Sequence, residues 1–226
     1  MKKIISSNME FWKSGPRDRP FLEIGTVLQI LGMVMLFVLL SSSLAISSFQ
    51  TINLTIKYHD PKDKSQLETV VLAWQEAQTK LRAMGLEPQA VSLEAYSSAS
   101  EFTKATNEPW FVAAITRGKR IQTQRLGALK ARGILRFTIL HEAFHTVQAA
   151  KLPRWLAEGL ARIFSGENSS DPHQTKLERL TEVQLSDALE GRGAQLGLNQ
   201  AYWEASRRAR ALLVTRGWKG VLSQYR

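Results

Sequence analysis

The chain has 226 residues, 44% of them apolar and none of them cysteine. That length holds one domain or two small ones, and the lack of Cys excludes disulfide-stapled folds, cysteine nucleophiles, Cys-ligated zinc and iron–sulfur clusters. With 30 basic against 20 acidic side chains the formal charge is +10; a basic body suits an anionic lipid surface, acidic wall polymers or no charged partner at all. No Lys/Arg run is interleaved with aromatics, so no nucleic-acid partner is expected. Any metal must be held by carboxylates and by the 4 histidines, His59, His141, His145 and His173.

Ile24 to Leu40 carries no charge, and the uncharged stretch continues to Ile46. About 20 such residues cross a bilayer core as a helix. Lys2, Lys3, Lys13, Arg17 and Arg19 precede the stretch, and no basic residue follows it before Lys57. The positive-inside rule then expects residues 1–21 in the cytoplasm, 22–46 as a transmembrane anchor and a domain over 50–226 outside the cytoplasm. Ser43-Leu44-Ala45 also fits a small-x-small cleavage site, so a removed signal peptide is the alternative. The long basic flank and the length of the apolar stretch favour the anchor.

Thr51 to Tyr58 alternates apolar and polar residues and reads as a half-buried strand, ended by His59-Asp60-Pro61. Ser65 to Met84 has helical periodicity and stops at Gly85. A strand over 90–96, a Ser-capped helix over 98–105 and a strand over 110–116 follow. Arg117-Gly118-Lys119 reads as a hairpin turn into Arg120–Gln124. Beyond Leu126 nothing alternates: helices are expected over 133–150, 153–165, 176–189 and 201–213, with a polar loop over 166–174 and an interruption at Gly191-Arg192-Gly193. This order predicts an α+β protein, a small mixed sheet with helices followed by a helical subdomain.

His141-Glu142-Ala143-Phe144-His145 lies in the apolar helix. Histidines at i and i+4 project from one helix face, so both imidazoles can reach one ion. Glu142 is turned about 100° from His141 and leans over that ion without being a ligand. The arrangement makes physical sense as zinc beside a general base. A catalytic zinc takes three protein ligands. Glu158, in Pro153-Arg154-Trp155-Leu156-Ala157-Glu158-Gly159-Leu160-Ala161, sits on the flank of the next helix, off the stripe of Leu156, Leu160, Ile163 and Phe164. A tight return around Lys151-Leu152 would bring it to the histidines. Gly159 costs about 1 kcal/mol against Ala inside a helix, which is sensible if the backbone must approach a neighbour there. Ser165-Gly166 closes the helix.

HExxH followed by P-x-W-L-x-E-G-L-A resembles the gluzincin metallopeptidases, and more narrowly the peptidase MA-like domains of bacterial envelope proteins. The sharp match covers residues 133–166; the strand and helix preamble and the C-terminal helices match more loosely. The resemblance implies a zincin-like fold, Zn2+ held by His141, His145 and Glu158, and Glu142 as the catalytic base. It implies hydrolysis of a peptide or protein substrate outside the cytoplasm, on the far side of a bacterial inner membrane reached through the N-terminal helix. Thermolysin-like relatives carry an Asp four residues after the ligand Glu to orient a ligand His; Arg162 stands there instead, and the partner of the first His is unidentified. They also use a His or Tyr to stabilise the oxyanion, for which Tyr202 and Tyr225 are the candidates. Residues 110–116 or 120–124 could form an edge strand that binds extended peptide. His59 and His173, each beside an Asp-Pro, are expected to be exposed without a role. Arg207, Arg208, Arg210, Arg216, Lys219 and Arg226 form a basic cluster expected to be a solvated helix face, or else to meet an anionic membrane. The alternatives to a peptidase are a non-catalytic envelope scaffold on the same fold and a zinc amidase acting on wall peptides.

Overall fold

In the computed structural model of the protein the described residues are 46–172, 174–190 and 195–225, all within the compact unit Ala45–Arg226. The expected cytoplasmic segment 1–21, all of the expected anchor except Ile46, His173 and Gly191-Arg192-Gly193 lie outside the described residues. Among the described residues no helix is long and apolar enough to cross a membrane.

The mixed α+β organisation expected from the order of elements is present. Among the described residues five strands form one sheet in the order β1-β2-β3-β5-β4. Strands β1 (Ser47–Thr51) and β2 (Leu54–Tyr58) pair antiparallel; β2 pairs parallel with β3 (Val91–Ala95), and β3 with β5 (Arg120–Thr123). Strand β4 (Ala114–Arg117) lies antiparallel to β5 at the sheet margin. The alternation over 51–58 therefore spans a hairpin rather than one strand. The chain turns at Ile52-Asn53, where Asn53 takes a left-handed φ of 61°, a conformation its short polar side chain tolerates. The turn at Gly118 is as expected, with φ 61°. The strand expected from Trp110 becomes regular only at Ala114. Before that, the Gln124 side-chain amide donates to the carbonyls of Trp110 (2.5 Å) and Val112 (2.7 Å) and holds the chain in an irregular turn. Strand β5 is internal, so of the two candidate edge strands only β4 has an edge unpaired among the described residues.

Helix α1 (Leu67–Ala83) makes the crossover between the parallel strands β2 and β3. Helix α2 (Ala99–Thr106) is capped by Ser98, whose Oγ accepts from the Glu101 N–H at 3.1 Å. Helix α3 (Leu126–Ala131) has no cap of its own; buried Asp63 accepts from the N–H groups of Leu126 (2.8 Å) and Gly127 (2.9 Å). Helices α4 (Leu135–His145), α5 (Arg154–Ser165), α6 (Glu182–Glu190) and α7 (Gln195–Ser223, kinked at Gly217) complete the fold. Helix α4 ends at His145 rather than running to 150. The N–H groups of Thr146 and Val147 turn back to the carbonyls of Ala143 and Phe144, the tightened last turn that reverses a chain. Pro153 precedes α5 in an extended conformation, with ψ 141°. One apolar core joins the sheet, through Ile56 and Leu93, to Trp74 of α1, Phe144 of α4 and Phe164 of α5.

His59 corrects the expectation of an exposed loop residue: it is 8% exposed. Its N–H donates to the Ala95 carbonyl at 3.0 Å, continuing the β2–β3 ladder past Tyr58. Its ring then bridges Glu101 (2.6 Å) and Glu94 (3.1 Å), tying the sheet to α2. The C-terminal basic cluster divides. Arg207, Arg210, Arg216 and Lys219 are exposed, but Arg207 (2.8 Å) and the less exposed Arg208 (2.5 Å) pair with fully buried Glu204, which also accepts from Thr175 at 2.6 Å.

Gly159 is the close approach its sequence position suggested. A Cβ built on it would meet the Ala205 carbonyl oxygen of α7 at 2.4 Å and the Ala209 Cβ at 2.9 Å. Gly159→Ala gains about 1 kcal/mol of helix propensity and meets a steric cost of about 1–3 kcal/mol. The clash is with backbone, so the net expected in chemical denaturation is a loss of stability; a stabilised variant would contradict the packing.

Burial alone would raise the Glu204 carboxyl, but hydrogen bonds from Arg207, Thr175 and Arg208 outweigh it and hold the group down at about 2. A depressed carboxylate stabilises the fold fully above its unfolded value and loses that stabilisation as pH falls through its folded value. Melting curves of wild type and Glu204→Gln should differ at neutral pH and converge between pH 4.5 and 2. Curves that stay parallel across that window would contradict the assignment.

Candidate metal centre

The last turn of α4 carries both histidines of the motif, and the reversal over 146–153 returns α5 antiparallel to it. Glu158 Oε2 thereby lies 3.2 Å from His141 Nε2 and 3.6 Å from His145 Nε2. The imidazole centroids are 4.9 Å apart at 61°. One ligand atom from each of His141, His145 and Glu158 falls within 4.8 Å of the others, the group among the described residues that could hold a metal ion. Two imidazole nitrogens and a carboxylate oxygen form a donor set suited to a divalent transition metal.

Glu142 is 6% exposed, is not one of the three, and borders the same cavity. Its Oε2 accepts from Thr116 Oγ1 of β4 at 2.7 Å. Burial raises the Glu142 carboxyl from its ordinary value, against the pull of His141, His145 and the Thr116 hydrogen bond. Burial works against charge on His141 too, but Glu167 and Glu158 outweigh it and hold the imidazole well above its ordinary value. His145 is raised in the same sense by Glu158. Glu158, despite its burial, is held well below the carboxylate range by His145 and His141. The carboxylates thus draw positive charge to the place where the three donor atoms converge, which suits a cation.

The outer nitrogens are also engaged. His145 Nδ1 is 2.7 Å from Gln148 Oε1, and His141 Nδ1 is 3.2 Å from Glu167 Oε1. Arg162, at the position where the resembling enzymes carry an Asp, bonds Glu167 (3.1 Å), Asp171 (2.5 Å) and Ser206 (3.0 Å).

The centre faces open space on two sides. A cavity of about 870 Å3 is lined by Thr116, His145, Arg154, Glu158 and Leu189, and one of about 470 Å3 by Ile134, Phe137 and Thr138. His141, Glu142, Leu198 and Tyr202 border both. Of the two tyrosines singled out, Tyr202 is at the centre, and burial together with Glu158 pushes its phenol well above the ordinary value. Tyr225 packs against the core away from both cavities. Four residues of the sequence motif, His141, Glu142, His145 and Glu158, are therefore brought together. Thr116, Gln148 and Glu167 join them without having been singled out. Arg162 in place of a carboxylate was the one signal that an acceptor for His141 must come from elsewhere.

No family model matches the chain, and no curated protein matches it.

Proposed function

We propose that the protein is a zinc-dependent peptidase of gluzincin type, with His141, His145 and Glu158 as ligands and Glu142 as general base. The observation that carries this reading is the convergence of those three side chains beside a buried carboxylate that is not one of them, at the border of an open cavity. Two histidines and a glutamate are the three-ligand set of hydrolytic zinc, and the cavity leaves a side open for substrate. Zinc bound there supplies a Lewis acid that polarises a carbonyl and acidifies water.

The chain's own groups supply the rest. Glu142, steadied at Oε2 by Thr116, takes the proton of the attacking water and delivers it to the leaving amine. Tyr202 keeps its phenolic proton, because its ionisation is pushed well upward, and borders the cavities as a hydrogen-bond donor to a developing oxyanion. Among the described residues strand β4 pairs only with β5, and its residues Ala114, Ile115 and Thr116 line the larger cavity. An extended peptide adding to that free edge would run past Glu142. The substrate in this reading is therefore a peptide or protein. With residues 22–46 as the anchor, the reaction takes place outside the cytoplasm, at the bacterial inner membrane.

Glu142→Gln tests the reading. The substitution keeps size and cannot accept a proton, so peptide cleavage by the zinc-loaded protein should fall about 10²–10⁴-fold while zinc content and melting temperature stay at wild-type levels. Undiminished cleavage would refute the base. Absence of cleavage in wild type, across a mixed peptide library with zinc bound, would leave the scaffold alternative.

Removal of the metal gives a second check. Incubation with a chelator should abolish cleavage, and added zinc should restore it. His141→Ala should remain inactive after the same addition, since only two protein ligands are left; full rescue of that variant would contradict the ligand set.

A further inference from the structure

We propose that Glu167 is the positioning residue of the centre. It holds the proton of His141 on Nδ1 and so keeps Nε2 free to face Glu158 and His145. The inference rests on the reading of His141 as a metal ligand and adds a residue to it.

The two nitrogens of an imidazole point apart, and the partner of one decides what the other can do. His141 Nε2 faces Glu158 at 3.2 Å, and Nδ1 faces Glu167 Oε1 at 3.2 Å. An ionised carboxylate only accepts hydrogen bonds. A bare lone pair on Nδ1 would set acceptor against acceptor, so Nδ1 carries the proton and Nε2 is the nitrogen that can give its proton up.

Glu167 is fixed from behind. Ser165 Oγ donates to Oε1 at 3.2 Å, and Arg162 Nη1 donates to Oε2 at 3.1 Å. Arg162 has little freedom of its own. Its side chain is 13% exposed, Nη2 donates to Asp171 at 2.5 Å, Nε donates to Ser206 of α7 at 3.0 Å, and the guanidinium lies 5.7 Å from the centroid of the Tyr202 ring. Local geometry explains why this carboxylate can reach. Gly166 takes φ 85° and ends α5, and the 3-10 turn Glu167–Ser170 then starts beside the first ligand histidine. His145 differs: its outer partner is the neutral amide of Gln148. On the outer nitrogens, then, His141 has a charged partner and His145 a neutral one.

Partners of this kind, when removed, cost about 10–100-fold in metal affinity. The test is zinc affinity by chelator competition on the full chain, for wild type, Glu167→Ala and Glu167→Gln, with the His141 Nδ1–H proton followed by NMR in the zinc-loaded protein. Glu167→Ala should bind zinc about 10–100-fold more weakly and lose the exchange-protected Nδ1–H resonance of His141. A general loss of packing would lower the melting temperature without selecting that proton. If Glu167→Ala does not fold, Glu167→Gln carries the comparison. Its amide keeps the volume but cannot serve Arg162 and His141 as acceptor with both atoms, so at least a tenfold loss is expected. Wild-type affinity in the variants with the resonance intact would overturn the role of Glu167 and leave the ligands standing. Failure of wild type itself to bind zinc would overturn the metal reading and this inference with it.

Discussion

Helix α5 is held between two neighbours with no freedom to rotate, and the centre depends on that constraint. At Gly159 its backbone lies so close to α7 that a single methyl group would strike the Ala205 carbonyl. The preceding residue, about 100° around the helix, is Glu158, which points the other way into the histidine pair of α4. Rotating α5 by one position would bury a carboxylate against α7 and withdraw the third donor from the triangle. The glycine thus fixes the azimuth of the glutamate.

The centre gathers charge that a hydrophobic core would not tolerate. Glu142, Glu158 and Glu167 surround two imidazoles, with Arg162 inside the network and Arg154 3.9 Å from Glu158. Burying such groups costs several kcal/mol for each unpaired charge, so every member needs a partner. Arg162 connects the carboxylate behind His141 to Asp171 and to Ser206 of α7. In the proposed peptidase, the same carboxylates that draw the imidazoles toward the charged form would receive a divalent cation instead.

Much of this was legible in the sequence, and the rest was hidden for identifiable reasons. His141, Glu142, His145 and Glu158 could be read because helical spacing is rigid over one or two turns. The hairpin at Gly118 and the close approach at Gly159 could be read because glycine is costly where it is not needed. Strand β1 was invisible: Ser47–Thr51 is polar and largely exposed, so no alternation marks it. Its turn was signalled only by Asn53. His59 looked exposed because Asp60-Pro61 does begin a turn, but the ladder runs one residue further. Glu167 and Thr116 reach the centre through tertiary contacts, from beyond a helix stop and from the sheet margin, and no local period relates either to the motif.

The central claim is that His141, His145 and Glu158 together bind zinc. Anomalous diffraction at the zinc edge from crystals of the protein, purified without chelator, tests it most directly. One zinc is expected, with His141 Nε2, His145 Nε2 and a Glu158 oxygen at about 2.0–2.2 Å. Protein that stays metal-free in the presence of zinc, or zinc bound elsewhere with these three side chains unengaged, would contradict it.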